Sequence, residues 1–269
     1  MKVFSIIITV FLLLFGLHLK AQELFVFTEP ASNMPSRSVG VRLTNEGIFN
    51  PDGMNRTIPE LMVSFNKKLM THVQGFFSDM DGRYRLEGAS LYAKYRFLSR
   101  DGSQKHFRAA AFGRLSTSKR PSYTEDINLE GDNSGIQGGL VVTQLLHKLA
   151  LSGTLSYNKA FDVDSYGSSV QRPDEMIAYS LSSGYLVLPV RYKNYNQPNF
   201  NVYLEMLGKT NPANGRSYMD LAPAVQVILH SRTRIDLGYR FQVSGDMDNR
   251  YNRNMYLIRA EFNFFNVLK

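Results

Sequence analysis

Apolar and polar residues alternate with a period of two along most of the chain, and the run near its C-terminal end shows this most fully. In residues 255–265, Tyr256, Ile258, Ala260, Phe262 and Phe264 fall on one side, and Leu257, Arg259, Glu261 and Asn263 on the other. Successive side chains of a strand point to opposite faces of a sheet, so this run has one apolar, aromatic-ended face and one largely charged face. Comparable runs occupy residues 38–43, 57–65, 69–77, 88–98, 106–115, 135–146, 149–157, 176–188, 200–209, 218–229 and 233–243. A helix would need a period of 3.6, which these runs lack. The apolar face is too aromatic and too continuous for one packed core. The pattern predicts an all-β protein, an antiparallel transmembrane β-barrel of about 12 strands that is apolar outside and polar within. Its last strand should pair with its first, because an open sheet edge cannot be satisfied in lipid.

The segments between the runs fit this reading. Residues 44–56, 78–87, 116–134, 158–175, 210–217 and 244–254 are polar and rich in turn-forming residues, whereas 66–68, 100–102, 147–148 and 230–232 are short. Long and short connections alternate, as expected for outer loops and periplasmic turns. The connection at 189–198, with a proline at each end, is longer than that rule predicts. Residues 22–37 carry Pro30 and Pro35 and read as an irregular N-terminal periplasmic arm at the barrel mouth. Residues 1–21 combine Lys2, an apolar run from Val3 to Leu17 and Ala21 before Gln22. This run is too short for a membrane helix and reads as a secretory signal peptide. The expected domains are therefore 1–21, 22–37 and a barrel over 38–269.

Composition narrows the chemistry. The chain has no cysteine, which excludes disulfides, thiolate metal sites and a Cys nucleophile. Its 15 tyrosines and 18 phenylalanines suit the aromatic girdles of a barrel. The formal charge is +8, and loss of Lys2 and Lys20 with the leader lowers it by two. On the predicted inner faces the basic side chains are Arg42, Lys94, Arg96, Arg108, Arg114, Lys209, Arg234, Arg240 and Arg259. The acidic ones are Glu60, Glu205, Asp220, Asp236 and Glu261. Charges within low-dielectric walls bias which ions enter, so Arg42, Lys94, Arg96, Arg108, Arg114, Arg234, Arg240, Arg259 and Glu261 are the expected selectivity residues. The same charges can instead pair across strands and fill a closed interior.

Certain motifs resemble those of a known group. The stretches Thr28-Glu29-Pro30-Ala31-Ser32-Asn33-Met34-Pro35, Glu87-Gly88-Ala89-Ser90-Leu91-Tyr92-Ala93-Lys94-Tyr95-Arg96-Phe97 and Thr143-Gln144-Leu145-Leu146-His147-Lys148-Leu149-Ala150 resemble uncharacterised outer-membrane barrel proteins of the Bacteroidota. The leader end, Ala21-Gln22-Glu23, is similar too. In general layout the chain also resembles the transporter-like barrels associated with aromatic-degradation pathways. The resemblance implies an outer-membrane, porin-like or transporter-like barrel of a Gram-negative bacterium. It names no substrate.

Other chemistries find less support in the residues. A barrel hydrolase would carry His and Ser two residues apart, but His72, His106, His147 and His230 are followed at that spacing by Gln74, Arg108, Leu149 and Arg232. No enzyme is expected. The oxygen-rich stretch 125–134 offers Asp126, Glu130 and Asp132 as a weak calcium candidate, without the loop spacing of an EF-hand. No cofactor is expected, nor nucleic acid, since the basic residues and the aromatics face opposite ways. The expected partners are outer-membrane lipid and lipopolysaccharide, a small solute, and the barrel-assembly machinery through the C-terminal strand. A closed structural barrel acting through loops 116–134 and 158–175 is the competing expectation.

Overall fold

A computed structural model describes residues 24–49, 54–79, 82–120, 124–161, 174–190, 196–247, 250 and 253–268. The expected leader lies outside these residues. Twelve strands follow one another in the chain: β1 (Ser38–Gly47), β2 (Asn55–Ser64), β3 (Leu69–Ser78), β4 (Arg85–Gly102), β5 (Lys105–Ser118) and β6 (Gly135–Leu146), then β7 (Leu149–Ala160), β8 (Glu175–Leu188), β9 (Asn199–Thr210), β10 (Ser217–Leu229), β11 (Thr233–Gly245) and β12 (Asn254–Phe264). Each pairs antiparallel with its sequence neighbours, and β1 pairs with β12 to close the barrel. The closing register sets Val41 against Phe262 and Arg42 against Glu261. Apolar thus meets apolar outside, and opposite charges meet inside. The chain folds as an all-β transmembrane barrel.

The outer surface carries the apolar half of the alternation. Leu140 and Leu155 are paired across β6 and β7 and are 56% and 60% exposed. A water-soluble protein rarely leaves so continuous an apolar wall uncovered, whereas lipid covers it without cost. No helix among the described residues is long and apolar enough to cross a membrane; the strands do so.

The strands are longer than the alternation alone predicts. Residues 44–47, expected in a loop, extend β1, because residues 55–58 of β2 supply partners for their backbone. The turn expected at Arg100-Asp101-Gly102 is strand, and β4 instead turns into β5 at Ser103-Gln104, where Gln104 takes a positive φ. Between Phe76 and Phe77 the pairing slips past Glu87, which becomes the extra residue of a bulge and is buried.

Candidate functional site

The lumen is filled from both ends. From the end that carries the short turns, residues 24–34 run inside the barrel, and 35–37 lead to β1. The side chain of Glu205 in β9 accepts the backbone N–H groups of Val26 and Phe27, both at 2.8 Å, and the Thr28 hydroxyl at 2.7 Å. These bonds replace the water that the buried amides would otherwise need. Cations satisfy the opposite polarity. Arg234 donates to the carbonyl of Phe25, Arg259 to that of Val26, and Lys94 to those of Pro30 and Ser32. Arg108 donates to the Ser32 hydroxyl, and the Thr143 hydroxyl accepts from the amide of Ala31. Phe25 and Val26 pack with Leu145, Ala150, Tyr203, Ala224 and Leu257. Gly238 makes room for Phe27: a Cβ there would come within 2.6 Å of the ring.

One acidic side chain of the arm enters the charged wall. Arg42 holds Glu29 at 2.8 Å, Glu261 at 2.8 Å and Glu60 at 3.1 Å. Glu60 in turn meets His72 at 2.5 Å, and Arg234 bridges Asp236 and Glu261. Burial pushes the Glu29 carboxyl up, but Arg42, Lys94 and His72 together outweigh it and hold the group well below the usual carboxylate range. The interlocking pairs offset one another's desolvation; removing one partner strands a buried charge.

The other end is capped by residues 124–134 of the loop between β5 and β6. Asp126 meets Lys209 at 2.8 Å, and Glu130 meets Arg114 at 2.6 Å. Asp132 takes both Arg56 and Arg120. Ile127 and Leu129 pack with Ala160, Met176, Tyr218 and Met247. Burial raises the Asp126 carboxyl, while Lys209, Arg250 and Arg240 pull it below its ordinary value. The three carboxylates considered for calcium therefore each lie on a basic side chain, apart from one another. No group of three or more His, Asp or Glu suited to a metal is present among the described residues.

Between arm and loop lies a cavity of about 210 Å³. Phe27, Thr28 and Glu29 bound it on one side and residues 127–130 on the other. On β6 to β8 its wall is uncharged and mostly small: Gln137, Thr154, Ser156, Asn158, Ala178 and Ser180. Tyr92, Phe112, Arg114, Tyr179, Leu207, Gly208, Lys209, Tyr218 and Arg240 complete it.

Of the expected selectivity residues, Arg114 and Arg240 reach this cavity. Arg240 is held by Asp220 at 2.6 Å. Arg42, Lys94, Arg108, Arg234 and Arg259 instead grip the arm, and Glu261 lies in the charged wall between Arg42 and Arg234. Arg96 lies half-buried on the inner face of β4. A count restricted to the predicted strands also omits six inward carboxylates (Glu29, Glu46, Glu87, Asp126, Glu130 and Asp132) against three guanidiniums (Arg56, Arg120 and Arg250). The strand-only excess of positive charge is largely offset. Glu29 and the acids of the loop lie outside any alternating run, so periodicity gave them no face.

Neither a scan of protein-family models nor a search of characterised proteins gives a match. Solved structures do. An outer membrane channel from Pseudomonas putida F1 superposes with a TM-score of 0.61 at 11% identity, covering 89% of this chain and all (100%) of that one. The NanC porin superposes with a TM-score of 0.50 at 12% identity, covering 84% of this chain and 98% of that one. At such identity the likeness is one of fold: the chain has the architecture of outer-membrane channel and porin barrels. Outer membrane phospholipase A from Escherichia coli gives 0.44 at 9% identity, covering 85% of this chain and 90% of that one, too low to carry an argument. His72, bound to Glu60 and packed against Tyr92 with the rings tilted by 53°, has no hydrogen-bond partner at Nε2 among the described residues.

Proposed function

We propose that this protein is an outer-membrane channel or transporter for small polar or anionic solutes, with the N-terminal arm as its restricting element. The cavity between arm and loop carries the reading: it presents hydroxyl and amide groups on one side and Arg114, Lys209 and Arg240 on the other, three cations against the two carboxylates, Glu29 and Glu130, that also line it. A wall of small side chains leaves space where the rest of the lumen is packed with ion pairs. The leader would direct the chain to the outer membrane of a Gram-negative bacterium, and β12 would present the strand read by the assembly machinery. A closed structural barrel is the second reading, favoured by the arm's many anchors across the turn-end half of the lumen.

Single-channel recording in a planar bilayer separates them, using the intact chain and a variant lacking residues 24–33. The expected result is small or infrequent steps from the intact protein and larger, stable steps from the variant. Any anion preference read from the reversal potential should diminish with Arg114→Gln and Arg240→Gln. A variant that stays silent while still running as a heat-modifiable barrel supports the closed reading.

A further inference from the structure

The two ends of the barrel treat charge differently. At the loop end the charged side chains are largely paired: Glu125 with Arg216, Asp126 with Lys209, Asp132 with Arg56 and Arg120, and Lys159 with Asp174 and Glu175. At the turn end, Arg37, Lys67, Lys68, Arg100, Lys105 and Arg232 are exposed, and their side chains form no ion pair or hydrogen bond among the described residues. Asp101 is the one acid exposed there among the described residues, and His106 and Arg108 already hold it.

We propose that these six cations form a collar that selects anionic phospholipid headgroups from the leaflet around the turns. Their placement relative to the apolar wall is the first support. Arg100 pairs with Phe107 and Lys105 with Leu146 on the outward face, as the inward positions of β5 are Arg108, Ala110 and Phe112. Lys67 and Lys68 follow Phe65, which is 51% exposed. Arg232 precedes Thr233, whose ladder partner is the outward Phe262. Arg37 is exposed just before β1, in which Val39 pairs with the outward Phe264. The cations therefore sit where the lipid-facing surface ends, at headgroup depth.

Their distribution is the second support. They lie along an arc of the perimeter, from the β10–β11 turn past the start of β1 to the β2–β3 and β4–β5 turns, rather than gathered into one patch. A rigid macromolecular partner would engage one sector. A fluid of small anions, each bringing one phosphate, fits separate cations strung along such an arc. Lysine and arginine near an anionic bilayer surface are attracted within a Debye length, about 8–10 Å at physiological salt.

The test is reconstitution of the full chain in nanodiscs of equimolar phosphatidylethanolamine and phosphatidylglycerol, with the retained lipids counted by native mass spectrometry. The collar predicts several-fold enrichment of phosphatidylglycerol that declines at high salt. It also predicts a ratio near one when Lys67, Lys68, Arg100 and Lys105 are all replaced by Gln in a barrel that keeps its heat-modifiability. Equal retention by the unmodified protein overturns the proposal, as does enrichment that persists in the quadruple variant or is indifferent to salt. If the variant does not fold, the salt series on the unmodified protein decides. Tight binding of soluble polyglutamate without any headgroup preference also overturns it, in favour of a soluble anionic partner.

Discussion

At the scale of single residues, Glu205 and Glu29 are the points on which the lumen's contents turn. Glu205 is fully buried and satisfies two arm amides that have no other partner among the described residues. Replacing it by Ala orphans both donors at about 1–3 kcal/mol each, which should loosen the arm without unravelling the strands. Limited proteolysis should then cut the arm of Glu205→Ala faster than that of the unmodified protein, with the barrel fragment left intact. Equal rates would show that the carbonyl contacts of Lys94, Arg234 and Arg259 suffice alone.

At the scale of elements, the arm carries Glu29 and the loop Asp126, two fastening carboxylates whose titration is depressed, and the sign follows from that. A carboxyl held below its ordinary value stabilises the docked state above the unfolded value, about 4.3 for Glu, and this is lost as pH falls through the depressed value. Glu29 and Asp126 shift in that same direction, so acid should release both closures. Arm protection from protease, or channel closure in a bilayer, should be constant near neutral pH and weaken well below pH 4.3. Substituting Glu29→Gln should remove part of that dependence. An arm equally protected across the acid range would contradict the assigned roles.

At the scale of the whole molecule, the barrel is held by closure and by lipid. Leu155 stands mid-strand on the outer wall beside Leu140 and Tyr179. Leu155→Arg should destabilise the barrel by about 2–4 kcal/mol, the cost of a lipid-facing arginine near the bilayer midplane. Denaturant titration in vesicles measures this; an unaffected midpoint would place that face out of the membrane.

Much of this architecture is legible in the sequence for one physical reason: the period of two assigns every strand residue a side without knowledge of its partners. It places Arg42, Arg240 and Glu261 inside and Leu155 and Phe262 outside, and the strand count of about 12 follows. The strand ends were less legible, since residues 44–47 and 100–102 look like turns until a partner strand supplies their hydrogen bonds. What each inward charge does was decided by tertiary structure alone. Val26 meets Glu205 across 179 residues and Arg259 across 233. Irregular segments such as 24–37 and 124–134 carry no periodicity, so local pattern cannot say whether they hang at a mouth or enter the lumen. Closing the ring brings their acids and backbone groups against the inward cations. An array that reads as an open selectivity ladder becomes, in three dimensions, largely the set of clasps that holds arm and loop inside.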